Sequence, residues 1–218
     1  MTGDKIKVNI LAAKMITNVD RAMAEQFKLD GNFKSLGLIT TDCDDVGYTA
    51  IDEATKKADV KVAYARSMYA GASNASQKYA GEFIGILAGP SPAEVRSGLN
   101  AAIDFINSED ATFMSANDDD SVAYYAYTVS RTGSYLSEQA GIALGSPLAY
   151  LVAPPLEAMY AIDAALKAAD VKLAVFGPPP SETNFASAFL TGEQSACKAA
   201  CMAFAEAVKS VCSNPTLF

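Results

Sequence analysis

The chain of 218 residues contains no histidine, and this absence removes several classes of enzyme. Nucleophilic sites of the Ser-His-Asp and Cys-His types need an imidazole base, so neither can be assembled from this chain. The sequence also contains no GxGxxG and no GxxxxGKS/T pattern, which leaves dinucleotide and P-loop phosphate sites without support. Acidic residues occur in pairs, but none has the sequence context of a general acid or base. We therefore expect a protein that is not an enzyme and that uses no cofactor.

Cysteine is scarce, and its spacing does not suit a metal. The four cysteines include no CxxC pair, and without histidine the chain lacks the usual ligand sets of structural zinc. Cys197 and Cys201 lie four residues apart on a predicted helix, in register with Phe204 and Val208. Because a free cysteine behaves as a small apolar side chain, we expect buried, reduced cysteines and no metal site.

Positive charge and long apolar runs are also in short supply. The chain has 17 basic and 25 acidic residues, a formal net charge of −8, so it lacks the basic surface that nucleic acids and anionic membranes demand. No segment approaches the roughly 18 apolar residues of a membrane span. Lys7, Asn9 and Lys14 interrupt the apolar start, unlike in a signal peptide. We expect a cytosolic protein with neither nucleic acid nor membrane as a partner.

The sequence does contain a repeat of itself. Residues 50–65 read AIDEATKKADVKVAYA and residues 161–176 read AIDAALKAADVKLAVF, with ten of sixteen positions identical at an offset of 111. Upstream, MAEQFKL (23–29) aligns with LSEQAGI (136–142) at an offset of 113. Downstream, the offset shrinks to 102 or 103, because the first copy has a longer loop. A two-fold repeat of this length indicates duplicated domains, which we place at residues 1–110 and 111–218.

Each copy predicts the same series of elements. In the first, Asp44 and Asp45 are suited to cap a helix over residues 48–58, with Ile51 on its apolar face and Asp52 on its polar face. Strands at 59–67 and 82–89 follow, and Ser91-Pro92 begins a second helix. The second copy has a helix at 156–169, strands at 170–176 and 185–190, and a helix at 193–212.

An additional strand precedes each series, within residues 5–16 and 121–129. Together the elements form a split βαβ unit, so we predict an α/β (α+β) fold. It has two tandem ferredoxin-like domains, each an antiparallel sheet with helices on one face.

Four long segments carry a resemblance to a known family, and together they cover essentially the whole chain. They are SLGLITTDCDDVGYTAIDEATK (35–56), ARSMYAG (65–71), residues 129–171 and PPPSETNFASAFLTGEQSACKAACMAF (178–204). They resemble the tandem-domain shell proteins of ethanolamine-utilisation bacterial microcompartments. The resemblance implies two circularly permuted shell domains and homotrimers of pseudo-hexameric outline. These would tile a shell with other shell proteins, in a microcompartment within the cytoplasm.

The resemblance also implies a gated pore for small molecules, lined by two loops at matching positions of the repeat. The loops span residues 67–80 and 177–184, and small, polar or proline residues dominate them. An alternative interpretation is that both are ordinary surface loops. The pore-lining residues that the resemblance implies are Tyr69, Gly71, Ser73, Asn74, Tyr79, Pro179, Ser181, Glu182 and Thr183.

A ligand site follows from the resemblance in the same way. It implies an ethanolamine site between the two domains, which here would use Asp44, Asp45 and Glu82, with Phe113 as an aromatic wall. An ammonium group has three donors for carboxylates, and an aromatic face adds a cation–π attraction. The alternative is that the DCDD segment (42–45) is only a crowded helix cap.

A different function class stays open at this point. Ferredoxin-like units that form trimers also occur in regulators that sense small molecules between subunits. A shell protein must present flat, self-complementary edges, whereas a sensor need not be duplicated and need not tile.

Overall fold

A computed structural model describes residues 1–67, 82–179 and 185–216. The chain forms two compact units. The N-terminal unit comprises Val8–Ala111 and Gly133–Leu136; the C-terminal unit comprises Met1–Lys7, Thr112–Thr132 and Ser137–Phe218. Relative to a division after residue 110, residues 1–7 belong to the C-terminal unit, and Ala111 and residues 133–136 belong to the N-terminal unit.

Each unit is built on one antiparallel sheet, and the elements are numbered in chain order. The N-terminal unit contains β2 (Ile10–Ile16), α1 (Arg21–Gln26), β3 (Ser35–Thr41), α2 (Asp44–Lys57), β4 (Lys61–Ser67), β5 (Phe83–Gly89) and α3 (Pro92–Ser108). The C-terminal unit contains β1 (Lys5–Ile6), β6 (Phe113–Ser115), β7 (Ala123–Val129), β8 (Leu148–Ala153), α5 (Pro155–Ala168), β9 (Val171–Gly177), β10 (Ala186–Gly192) and α6 (Gln194–Ser213). Helix α4 (Ser134–Ala140) begins with three residues of the N-terminal unit.

The strand orders confirm the duplication. They are β2-β3-β5-β4 in the N-terminal unit and β1-β6-β7-β8-β10-β9 in the C-terminal unit. The run β7-β8-β10-β9 repeats β2-β3-β5-β4 strand for strand, and the helices α5 and α6 occupy the places of α2 and α3 along the chain. The predicted fold class of two tandem ferredoxin-like α/β units is therefore confirmed.

The N-terminal segment forms two strands, whereas one strand was predicted within residues 5–16. Lys5–Ile6 pairs with β6 in the C-terminal unit, whereas Ile10–Ile16 pairs with β3 in the N-terminal unit. Because β1 and β2 pair in different sheets, Met1–Lys7 belongs to the C-terminal unit.

The sheet of the N-terminal unit is covered on both faces. Gly37 of β3 lies directly under α3, because a Cβ there would come within 2.8 Å of the Val95 and Leu99 side chains. On the opposite face, Leu36 and Ile86 pack with Ala24 of α1 and with Phe27. The short helix α1 thus covers the face that the sequence analysis left open.

The C-terminal unit packs α5 and α6 on one face of its sheet. Their core is rich in alanine and includes the fully buried Phe204 and Cys197, with Cys201 6% exposed. The predicted core positions of these two cysteines are confirmed, and burial raises the pKa of the Cys201 thiol to about 11. The other face carries aromatic rings, with Tyr150 edge-on to Phe189 at a centroid distance of 4.5 Å.

The start of α3 follows its sequence signature. Ser91 is the N-cap, its side chain accepts a hydrogen bond from the amide of Glu94, and Pro92 occupies the first turn. The predicted capping of this helix is confirmed.

Candidate functional site

The acidic segment DCDD forms the junction between β3 and α2 in the N-terminal unit. The prediction that Asp44 and Asp45 cap α2 is wrong: the N-cap is Cys43, which makes no side-chain capping bond, and both acids lie in the first turn. Their side chains are almost closed off, with 4% and 7% of the residue exposed. Carboxylates in a first turn are favoured by the helix dipole, but two adjacent buried acids still repel each other.

The first acid of the segment has a structural partner. Asp42 accepts hydrogen bonds from the backbone amide of Asn9 at 2.7 Å and from the Asn9 side-chain nitrogen at 2.6 Å. Asn9 lies just before β2, so these bonds join the entry of one strand to the exit of β3. Asp42 therefore links the backbone before β2 to the backbone after β3.

Asp44 begins a short chain of polar contacts. Its carboxylate accepts from the amide of Asp45 at 3.0 Å and is hydrogen-bonded to the side chain of Ser67, the last residue of β4. The Ser67 hydroxyl also pairs with the Tyr48 hydroxyl at 2.8 Å. Burial, followed by the charge of Asp45, holds the pKa of Asp44 well above its usual range. A cation at this carboxylate would offset that cost of ionisation.

Aromatic rings enclose the side chain of Tyr48. The ring meets Phe83 edge-on at a centroid distance of 4.8 Å and lies parallel to Tyr135 at 6.0 Å. Gly47 permits this arrangement, because a Cβ at that position would lie 2.3 Å from Cδ1 of Phe83. The Tyr48 hydroxyl is thereby held at Ser67, the partner of Asp44, by rings of its own unit.

A further buried acid, Asp52, lies two turns along α2 from Asp44. The prediction that Asp52 faces solvent is wrong: the residue is fully buried. Its carboxylate accepts from the amides of Gly133 at 2.7 Å and Leu136 at 2.8 Å, and Lys56 lies 3.8 Å away. Burial raises the pKa of Asp52 even though both amide bonds favour its charged form. Asp52 therefore anchors the segment 133–136 to α2.

The remaining predicted ligand residues, Glu82 and Phe113, belong to different units. Glu82 directly precedes β5, and because Phe83 pairs with Thr41, it lies at the same end of the sheet as the start of α2. Phe113 belongs to β6 of the C-terminal unit, is 1% exposed and stacks on Tyr125 at 5.4 Å. Of the predicted pore residues, Pro179 is half-buried in the described part of the chain. The others lie outside the described residues: Tyr69, Gly71, Ser73, Asn74, Tyr79, Ser181, Glu182 and Thr183.

Comparison with known proteins matches both units. The model of the BMC domain family matches residues 35–116 and 152–215. The shell protein EutL of Clostridium perfringens is 69% identical over 218 residues, which is the full length of both chains. The chain belongs to the EutL family of bacterial microcompartment shell proteins.

Other EutL relatives also match nearly the whole chain. EutL of Salmonella typhimurium is 55% identical over 212 residues, covering 97% of this chain and 96% of its own. The crystal structure of the ethanolamine utilization protein EutL from Leptotrichia buccalis is 63% identical, covers both chains completely and superimposes with a TM-score of 0.95. This EutL-family chain is therefore a microcompartment shell protein with tandem BMC domains.

The described residues meet the requirements of neither a metal site nor a membrane-spanning helix. Within residues 1–67, 82–179 and 185–216, no three cysteine, aspartate or glutamate side chains converge as metal ligands would. None of the helices in these ranges combines the length and the apolar character needed to cross a bilayer.

Sequence reasoning overlooked three residues at this acidic junction. Tyr48 could have been found, since it lies one helical turn after Asp44 and shares its face of α2. Ser67 ends a strand whose pairing the sequence does not specify, and Asn9 lies 33 residues before its partner Asp42. Neither carries a local signal.

Proposed function

We propose that the chain forms homotrimers of pseudo-hexameric outline that tile a facet of an ethanolamine-utilisation microcompartment together with other shell proteins. The observation that carries this proposal is the shared strand order of the two units in a chain 69% identical to EutL. Two similar units in one chain allow three chains to form a ring of six. Exposed apolar side chains also favour association, and in the C-terminal unit they include Leu156, Met159, Tyr160, Leu173, Val175 and Phe176.

The ligand that we propose is ethanolamine, a primary ammonium with a hydroxyl group. Asp44 and Asp45 supply closely spaced carboxylates, and Glu82 lies at the same end of the sheet. The ammonium group would stabilise the ionised form of Asp44, whose burial otherwise opposes ionisation. Tyr48 is joined to Asp44 through the Ser67 hydroxyl, whereas Phe113, the aromatic wall that the family resemblance implies, is buried in the C-terminal unit. Charge-assisted contacts of this kind give an affinity of roughly millimolar, about −4 kcal/mol.

We also propose that the segments within residues 67–80 and 177–184 line a gated central pore. The support is their equivalent position in the repeat. Each segment connects the edge strand of its sheet to the strand beside it, β4 to β5 and β9 to β10. If the acidic site and the pore are coupled, ethanolamine must bind one pore arrangement more tightly than the other.

The role proposed is structural and transport-related, not catalytic. The lack of histidine and the identity of the relatives as shell proteins both favour it. The sensing regulator considered from the sequence is disfavoured by the same relatives and by the duplication.

Calorimetric titration of ethanolamine tests the ligand site. We expect Asp44→Asn, Asp45→Asn and Glu82→Gln each to weaken binding, because each removes a negative charge from the site. Asp104→Asn is the matched control, an exposed acid on α3 of the same unit. Unchanged ethanolamine affinity in all three site variants would show that the site is misplaced.

A further inference from the structure

The two copies of the repeat differ in how one helix face is covered. In the N-terminal unit, the face of α2 that carries Asp45, Thr49 and Asp52 is buried, with 7%, 0% and 0% of each residue exposed. Residues 133–136 lie against this helix: Tyr135 stacks on Tyr48, and Asp52 binds two of the segment's amides.

Within the residues that the structure describes, the equivalent face of α5 is exposed. At the offset of 111, the counterparts of Asp45, Tyr48 and Thr49 are Leu156, Met159 and Tyr160, which are 62%, 46% and 59% exposed. The counterpart of Asp52 is Asp163, whose side chain is 62% exposed and pairs only with Lys167 on the same helix among the contacts described, at 2.6 Å. The face has kept its place in the repeat, but it has become more apolar.

The segment that would cover it also has a counterpart. At the offset of 113, residues 133–136 correspond to residues 20–23, at the start of α1. These four residues belong to the N-terminal unit and are all exposed, with Met23 at 37%. One exposed segment, in which Met23 is the large apolar residue, and one exposed apolar face are therefore left over, on different units.

We infer that residues 20–23 of one copy dock on the α5 face of a second copy, with Ala22 in the place of Tyr135 against Met159, and with Met23 in the place of Leu136 between Met159 and Asp163. This inference rests on the proposed homotrimer and identifies its contact. The two surfaces differ, so the contact is head-to-tail, and such contacts close into rings when the rotation between copies permits.

The docked pair is a looser version of the contact within the N-terminal unit. A Cβ on Gly133 would lie 2.3 Å from the Thr55 hydroxyl and 2.5 Å from the Asp52 carbonyl, so that segment approaches its helix as closely as glycine allows. Asp20 stands in the equivalent place and carries a Cβ, which keeps the segment farther from α5. Side-chain size compensates, because Tyr160 is larger than its counterpart Thr49 and fills the additional space.

Charge also distinguishes the two contacts. Arg21, whose side chain is 91% exposed, replaces Ser134, and Asp163 offers an exposed carboxylate on the facing helix. An exposed pair of this kind adds little affinity but fixes the orientation of docking.

Charge-swap variants of the full chain test the pairing by mass photometry. We expect Met159→Lys alone and Met23→Glu alone to shift trimers to monomers, and the double variant to recover trimers. Met202→Lys on α6 is the matched control, a methionine that is 57% exposed on the neighbouring helix, and it should leave trimers intact. A trimeric wild type with both single variants also trimeric would overturn the inference and leave the trimer standing. A monomeric wild type would overturn both.

Disulfide trapping provides a second measurement that does not depend on weakening the interface. The double variant Met23→Cys with Met159→Cys should form covalent trimers on oxidation, whereas Met23→Cys with Met202→Cys should not. Equal cross-linking in both pairs, or none in the first, would contradict the assigned contact.

Discussion

Removal of the Asp52 carboxylate is expected to destabilise the N-terminal unit through two identified amides. In Asp52→Ala, the amides of Gly133 and Leu136 lose acceptors at 2.7 and 2.8 Å, and both bonds are buried. Each unsatisfied buried donor costs about 1–3 kcal/mol. The raised pKa shows that burial of the charge is itself unfavourable, so its removal offsets part of this loss. We expect a net decrease of about 2–4 kcal/mol in the free energy of unfolding.

Urea denaturation and amide hydrogen exchange measure this effect. The free energy of unfolding of Asp52→Asn should lie between those of Asp52→Ala and wild type, because the asparagine side-chain oxygen still accepts one of the two hydrogen bonds. In exchange experiments, a peptide covering residues 133–136 should lose protection in Asp52→Ala, by about tenfold for each 1.4 kcal/mol. Asp104→Ala, at an exposed position of α3, should stay within about 0.5 kcal/mol of wild type. Wild-type stability and unchanged protection in Asp52→Ala would refute the anchoring role.

Three further predictions follow from the acidic junction and the helix start. The pKa values of Asp44 and Asp52 are raised, so the folded protein binds protons more tightly than the unfolded chain. Their contribution to stability should be fullest below about pH 4 and be lost as pH rises through the raised pKa values. Asp44→Asn should flatten the dependence of unfolding free energy on pH and stabilise the protein at pH 7. Urea denaturation at several pH values would measure both effects. Gly47→Ala should cost about 1–3 kcal/mol, since its Cβ would press on the Phe83 ring, and an unchanged melting temperature would contradict this. Ser91→Ala should cost about 1 kcal/mol by loss of the cap of α3, measured by thermal denaturation.

Much of the fold could be predicted because its signals are local or repeated. The offset of 111 predicted two equivalent units, and their strand orders agree. Ser91-Pro92 indicated the start of α3 at the residue where it begins. These features depend on neighbours within a few residues or on comparison of the chain with itself.

The features that could not be predicted depend on distant parts of the chain. Asp52 has the spacing of a solvent-facing residue on α2, and only the segment 133–136, some 80 residues later, buries it. The split of residues 5–16 into β1 and β2 arises because β1 pairs with β6, over 100 residues away. The bond between Asp44 and Ser67 likewise requires the register of β4, which no local pattern specifies.

Electron microscopy of the purified full chain tests the central claim, that this EutL-family protein closes into three-membered rings that tile a shell. We expect three-fold particles with six lobes that join edge to edge into flat sheets. The α5-face variant Met159→Lys should abolish both the rings and the sheets, whereas Met202→Lys should retain the rings. Dispersed wild-type monomers at micromolar concentration, with no rings and no sheets, would contradict the account.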